Sequence, residues 1–167
     1  GDCDDVIVLD SFSSDGTVEK ARSLGARIYQ RKFDDFAGQR NHLLDNLETK
    51  YPWIFFLDAD ERFTPFLLRE CDRTAVEDSH SAYYAAPMTM LRGKWIRFAS
   101  QYPVYQARLV KKGEMRFVPY GHGQKEGVTR RGMDKLKHPY VHEIMSHGKE
   151  EWMEKHDRYA VADAWAI

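Results

Sequence analysis

Apolar and polar positions give the chain two rhythms. In its first half, short continuous apolar runs alternate with stretches of helical period. "VIVL" at residues 6–9 is bounded by carboxylates and reads as a strand buried on both faces. "DSFSSDGT" follows as a loop, and "TVEKARSLG" predicts a helix with Thr17 as N-cap and Gly25 as its stop. "ARIYQRKF" returns as a strand. "DDFAGQRNHLLDNLET" predicts a second helix with Phe36, Leu43, Leu44 and Leu47 on one face. "WIFFLDAD" is the next strand, and Thr64-Pro65 opens a third helix with Thr as N-cap and Pro at the first helical position. This β-α-β-α-β-α alternation predicts helices covering a mostly parallel sheet.

After Asp78 the rhythm changes. "SAYYAAPMTMLRGKWIRFAS" predicts two strands joined at Gly93, and "YPVYQARLVKKGEMRFVPY" a second antiparallel pair joined at Gly113. "GHGQKEGVTRRGMDK" reads as a glycine-rich charged loop. The closing "GKEEWMEKHDRYAVADAWAI" predicts a helix with Trp152, Tyr159, Ala160 and Ala164 roughly aligned. The expectation is one α/β domain over residues 1–167, its first half at 1–78 and an antiparallel second half at 79–167.

Composition narrows the class. The 167 residues, 43% hydrophobic and 13% aromatic, suit one domain with a sizeable core. A net charge of −1 gives no global attraction to nucleic acid or anionic lipid, so no nucleic-acid partner is expected. No apolar run approaches the roughly 20 residues that span a bilayer. Two cysteines without CxxC spacing, and seven histidines that mostly fall singly, argue against a disulfide framework or a histidine metal site and for a reducing cytoplasm. The early strand, the absent initiator Met and a helix running to Ile167 read as a segment of a longer protein.

The chemistry concentrates in "WIFFLDADERF", where five uncharged residues run into three carboxylates within four positions. In open α/β sheets, ligands bind beyond the carboxyl ends of the strands, and Asp10 and Asp58 both stand at such ends. In an extended chain Asp58 and Asp60 point to one side, and two carboxylates so close repel unless a cation or proton lies between them. Such oxygen donors suit Mg²⁺ or Mn²⁺, with phosphate oxygens completing the shell. The plainer alternative is that these acids cap a helix or solvate a strand end.

Taken in order, "VLDSFSSDGTVEKARSLGARI", "FAGQRNHLLDN" and "WIFFLDADERF" resemble the nucleotide-sugar-binding half of family 2 inverting glycosyltransferases of the GT-A fold. More narrowly they are similar to bacterial enzymes that build lipopolysaccharide core and other surface glycans, as are "HGQKEG" and "EEWMEKHDRYAVADA". The resemblance implies an α/β, GT-A-like mixed and mostly parallel sheet flanked by helices, with an antiparallel second half. The family's first strand and helix have no counterpart before Val6, which implies an unpaired sheet edge, an incomplete base pocket and a segment inactive alone. The implied reaction moves a sugar, with inversion, from a nucleotide-diphosphate donor (most commonly a UDP-sugar) to a hydroxyl of a glycan or glycolipid acceptor.

Residue roles are implied by the same resemblance. Asp10 would accept a hydrogen bond from the base, and Ser11, Ser13 and Asp15 would shape the loop around the nucleoside. Arg40 would face the nucleotide or its diphosphate; the alternative is an intrahelical pair with Asp45 or Asp35. Asp58 would approach the ribose or the metal, and Asp60 would bind the Mn²⁺ or Mg²⁺ bridging the diphosphate. Inverting transfer also needs a base for the acceptor hydroxyl, with Glu126 the first choice and Glu143 the second. His122 would contact a phosphate or the acceptor. Trp95, Tyr102 and Tyr105 either stack on a sugar or fill core. Lys111, Lys112, Arg130 and Arg131 form a solvated rim or hold an anionic acceptor.

Three rivals stand beside this reading, one of them the nucleotidylyltransferases, which share a related sheet but usually carry a Gly-rich loop with Arg and Lys after the first strand. Haloacid-dehalogenase-like phosphatases also place Asp-x-Asp after a hydrophobic strand, but they usually carry Thr or Val where Arg62 stands here. The third rival is a non-catalytic nucleotide- or glycan-binding module of the same fold. The expected location is the cytoplasm or the cytoplasmic face of the inner membrane. The last helix's aromatic and alanine positions leave room for a peripheral membrane contact beyond Ile167.

Overall fold

A computed structural model describes residues 3–98, 102–121, 123–146 and 148–164. The first half alternates as its rhythm predicts: β1 (Ile7–Asp10), α1 (Thr17–Ser23), β2 (Arg27–Gln30), α2 (Phe36–Asn46), β3 (Trp53–Phe55), β4 (Glu61–Arg62) and α3 (Pro65–Glu77). The second half is β5 (Ala82–Ala85), β6 (Pro87–Leu91), β7 (Lys94–Trp95), β8 (Gln106–Lys111), β9 (Phe117–Tyr120), β10 (Gly123–Glu126), β11 (Met133–Lys135), β12 (Tyr140–Glu143) and α4 (Lys149–Ala164).

The class is α/β with mixed sheets. β1 and β2 pair in parallel; β11, β5, β8 and β3 form one four-stranded sheet, and β4, β12, β6 and β7 another. Among the described residues, three ladders are parallel and five antiparallel. β3 lies antiparallel to β8, with Phe55 opposite Leu109. Among the described residues β1 has a ladder only with β2, so its apolar residues are half-buried rather than covered on both faces.

Two apolar cores flank the β5–β8 sheet. Ala37, Leu43 and Leu44 of α2 pack with Phe56, Ala82, Val110 and Phe117. Leu67 and Cys71 of α3 pack with Tyr83, Ala85, Leu109 and Tyr140 on the other side. Strand alternation explains the split: Ala82 serves the first core, while Tyr83 and Ala85 serve the second. The α2 face that turns inward holds Ala37, Arg40, Leu43 and Leu44, so a charged residue shares the apolar face and Phe36 is only half-buried.

The β5–β8 ladder carries one irregularity that shapes the chemistry nearby. Tyr83 opposes Leu109 but Tyr84 opposes Ala107, so Arg108 is an extra, bulged residue. Bulges re-aim side chains, and this one sends a guanidinium out of an apolar strand.

Several local expectations change. α1 is capped by Gly16, in the left-handed region at φ 79°, while Asp15 accepts from Thr17 N at 3.1 Å and Thr17 Oγ1 at 2.6 Å. Thr64 does cap α3, accepting from Leu67 N at 3.2 Å. The Gly93 hairpin forms as β6–β7 across Arg92 and Gly93, both at positive φ as a two-residue hairpin loop requires. The pair expected at Gly113 does not form. β8 is taken by β3 and β5, and β9 pairs instead with β10, inside the segment expected to be a loop. No described helix is long and apolar enough to cross a membrane.

Candidate functional site

The strand–acid junction is a tight turn, not an extended segment. Phe56 N still donates to Arg108 O at 2.9 Å, after which the chain leaves the sheet. Glu61 N donates to Asp58 O at 3.0 Å, and the Glu61 carboxylate accepts from Asp58 N at 2.8 Å. This reciprocal closure makes the two aspartates diverge. Asp58 turns to two arginines, and Asp60 turns to His142.

On the Asp58 side, Arg40 Nη2 donates to Oδ1 at 3.0 Å, and Arg108 meets Oδ2 at 3.4 Å. Arg108 is 1% exposed. It also donates to Glu61 Oε1 at 2.6 Å, Gln106 Oε1 at 2.7 Å and Tyr140 Oη at 3.1 Å, and lies over the Tyr140 ring. A buried cation without counter-charge is penalised by several kcal/mol, and the carboxylates of Asp58 and Glu61 offset that here. Burial opposes ionisation of Asp58, yet Arg108 and Arg40 prevail and hold its pKa below the ordinary value. Burial raises the pKa of Glu61, with Arg108 opposing. Burial and the neighbouring Arg108 charge lower the pKa of Arg40, which sits between the rings of Phe56 and Phe117 at 5.4 and 5.3 Å. The Asp58 side chain is still 45% exposed, so one edge faces outward.

On the other side, β4 and β12 pair so that His142 lies opposite Glu61. His142 Nε2 is 3.4 Å from Asp60 Oδ2, and Glu143 N donates to Asp60 O at 3.0 Å. One ligand atom each from Asp60, Glu61 and His142 lie within 4.8 Å of one another. The His142 interaction lowers the pKa of Asp60 against the effect of burial, and Asp60 raises that of His142. Carboxylate oxygens with an imidazole nitrogen fit Mn²⁺ or a similar divalent ion. Both Glu61 oxygens already accept hydrogen bonds, from Arg108 and Asp58 N, which leaves Asp60 and His142 as the freer donors.

Three consecutive residues of α2 join the surrounding parts. Gln39 Nε2 donates to Ser11 Oγ at 3.1 Å in the loop after β1. Arg40 reaches Asp58, whereas Asp35 caps α2 through Gly38 N and Asp45 pairs with Arg116. Asn41 exchanges two 2.9 Å hydrogen bonds with the backbone of Phe117 in β9. Successive helical residues point about 100° apart, so one turn reaches three partners. Asp10 is buried and accepts from Gln30 Nε2, Phe12 N and Ser13 N at 3.0–3.2 Å, bonds that lower its pKa. It therefore fixes the shape of the loop that carries Ser11 and Ser13.

The remaining expected residues lie elsewhere. Glu126 ends β10 and accepts a short hydrogen bond from the Tyr84 hydroxyl, so it is tied to β5 rather than to the turn. The Tyr84 phenol is pushed up to about 12 by burial and by Glu126. Glu143, on β12 beside His142, accepts from Arg62 at 2.8 Å and lines a cavity of about 170 Å³ with Arg92, Met145, Ser146 and Lys149. His122 lies outside the described residues. Of the expected basic rim, Lys111 and Arg131 pair with Asp78, and Arg131 also with Glu114. The sequence reading missed Arg108 and His142. A lone arginine inside the apolar "ARLV" was the available signal for the first, and His142 carried none beyond its neighbour Glu143.

The family model described as Glycosyl transferase family 2 matches residues 2–134, which include Asp10, Arg40, the turn, Arg108 and Glu126 but not His142. An uncharacterized glycosyltransferase of Rickettsia bellii is 34% identical over 90 residues, covering 53% of this chain and 29% of that protein. One from Rickettsia typhi is 30% identical over 93 residues, covering 54% of this chain and 31% of that protein. The chain thus spans about three-tenths of the length of these curated relatives.

Proposed function

The chain belongs to glycosyl transferase family 2, and from that premise we propose that it carries the donor site of a sugar-transferring enzyme. The reaction moves a sugar, with inversion, from a nucleoside-diphosphate donor to a hydroxyl of a glycan or glycolipid. The observation that carries the reading is the split turn: Asp60, Glu61 and His142 converge on one side, and Asp58 lies between two guanidiniums on the other.

In this reading a divalent cation supplies charge neutralisation for the departing diphosphate. Asp60 and His142 would hold it, with Glu61 the third member of the cluster. Asp58 would serve as a further ligand only by loosening Arg40 or Arg108, so its outward edge is assigned to the ribose. Arg40 adds positive charge beside the diphosphate. The loop of Asp10, Ser11, Ser13 and Asp15 flanks the nucleoside, its shape fixed by Asp10 and Gln39.

The base is Glu126 or Glu143. Glu126 sits inside the family match and beside a partly buried phenol, whereas Glu143 adjoins Asp60 through β12. Calorimetric titration with UDP-, GDP- and CDP-linked sugars, with and without Mn²⁺, tests the donor site. Metal-dependent binding of one nucleotide class, lost in Asp60→Ala, is expected. Binding of none of them contradicts the proposal. In a transfer assay, Glu126→Gln should abolish turnover and spare donor binding, which also separates an enzyme from a binding module. Retained turnover moves the base to Glu143.

A further inference from the structure

From residue 79 to residue 113 the chain contains no aspartate or glutamate, although it has 26 in 167 residues. The same stretch holds Arg92, Lys94, Arg97, Arg108, Lys111 and Lys112. Three of these are engaged within the fold: Arg108 at the turn, Lys111 with Asp78, and Lys112 with Leu47 O at 2.6 Å. The other three project from the β6–β7 hairpin and its continuation. All are exposed, and among the described residues no carboxylate pairs with them.

Aromatic and apolar side chains share that surface. Phe98 is 94% exposed, and Trp95, Val104 and Tyr105 are also exposed. Arg97 lies within 5.4–5.9 Å of the ring centroids of Trp95, Phe98 and Tyr102, and Trp95 meets Tyr102 edge-on. Lys135 lies 4.4 Å from the centre of the Tyr105 ring. The neighbouring acids are Glu143, paired with Arg62, and the exposed Asp134. Rings in water, interleaved with unpaired cations on a projecting hairpin, suit a boundary that is apolar on one side and anionic on the other. Indole and guanidinium groups settle at that depth of a bilayer.

We propose that the β6–β7 hairpin, with residues 94–98 and 102–105, docks this protein peripherally on an anionic phospholipid bilayer. Phe98 and Trp95 enter the acyl boundary, while Arg92, Lys94 and Arg97 meet the lipid phosphates. The near-neutral net charge hides this local excess. β6 also lies beside β12, with Thr89 opposite His142 and Met90 opposite Glu143, so docking brings the candidate site close to the lipid surface. The inference does not depend on the transferase reading. Arg92, Lys94 and Arg97 call for anions and Phe98 offers no hydrogen bond to a sugar hydroxyl, which favours the anionic bilayer over a neutral acceptor sugar as the occupant.

Co-sedimentation of the purified protein with phosphatidylcholine vesicles, with and without phosphatidylglycerol, tests it. Binding to the anionic vesicles alone, weakening with salt, is expected. Each basic side chain near such a surface adds about fivefold, so Arg92→Gln/Lys94→Gln/Arg97→Gln should lose on the order of a hundredfold at low salt. Phe98→Ser should lose about tenfold while keeping its unfolding midpoint. Trp95 emission should shift to the blue on binding, a change absent in Trp95→Phe. Equal binding to both vesicle types, or indifference to these substitutions, overturns the proposal. So does release by a soluble phosphorylated oligosaccharide, which would make the patch a sugar site. Vesicle-free self-association abolished by Phe98→Ser overturns it as well, in favour of a protein interface.

Discussion

Asp58 faces two guanidinium groups and keeps one edge open, whereas Asp60, two residues on, faces a single imidazole at 3.4 Å. The turn closed by Glu61 creates this difference, because it stops the two side chains from sharing a direction. The contrast separates two tasks that an Asp-x-Asp pattern compresses. One carboxylate is taken up by the two arginines of the strand end, and the other makes a single side-chain contact, with His142.

Substitutions can break that contrast. The largest effect should come from Arg108→Met, which strands Glu61 and part of Asp58 in the interior. Urea unfolding should show a loss of about 3–5 kcal/mol. Adding Glu61→Gln to that variant should restore part of the loss, because the buried uncompensated charge is then gone; strict additivity would mean the two groups are not coupled. Next in size, Asp58→Asn should destabilise by about 1–3 kcal/mol, since Arg40 loses its anionic partner. Asp60→Asn should fall within about 1 kcal/mol of the parent, because its partner is partly exposed. Similar losses for Asp58→Asn and Asp60→Asn would erase the distinction.

The smallest effect is a pH dependence of the metal-free protein. His142 has a raised folded pKa, so its contribution is complete below the unfolded value of about 6.5 and fades as pH rises through the folded one. Asp60 is lowered, so its contribution holds above about 3.9 and fades as pH falls through the folded value. Unfolding midpoints should therefore decline at alkaline pH in the parent more than in His142→Gln. Parallel curves would show that the pair contributes nothing.

The elements of the first half were legible in the sequence because each announces itself locally: apolar run, cap, helical period. Thr64-Pro65 worked as read, since a cap is a contact within one turn. Pairing was less legible. Nothing in "WIFFL" says that β3 will lie against β8, and the failed Gly113 hairpin shows two strands satisfied by other partners. The site divided the same way. Asp10, Arg40, Asp58 and Asp60 stand at readable strand and helix positions. Arg108 depends on a bulge and His142 on a ladder between segments far apart in sequence, both tertiary facts.

In the proposed function the divalent ion falls to Asp60 and His142 rather than to Asp58. Manganese titration followed by electron paramagnetic resonance, in the presence of the nucleotide that binds, decides between these carboxylates. Asp60→Asn and His142→Gln should each abolish saturable Mn²⁺ binding, while Asp58→Asn should weaken it only modestly. Unchanged Mn²⁺ affinity in Asp60→Asn, or complete loss in Asp58→Asn alone with its fold intact, would refute the assignment.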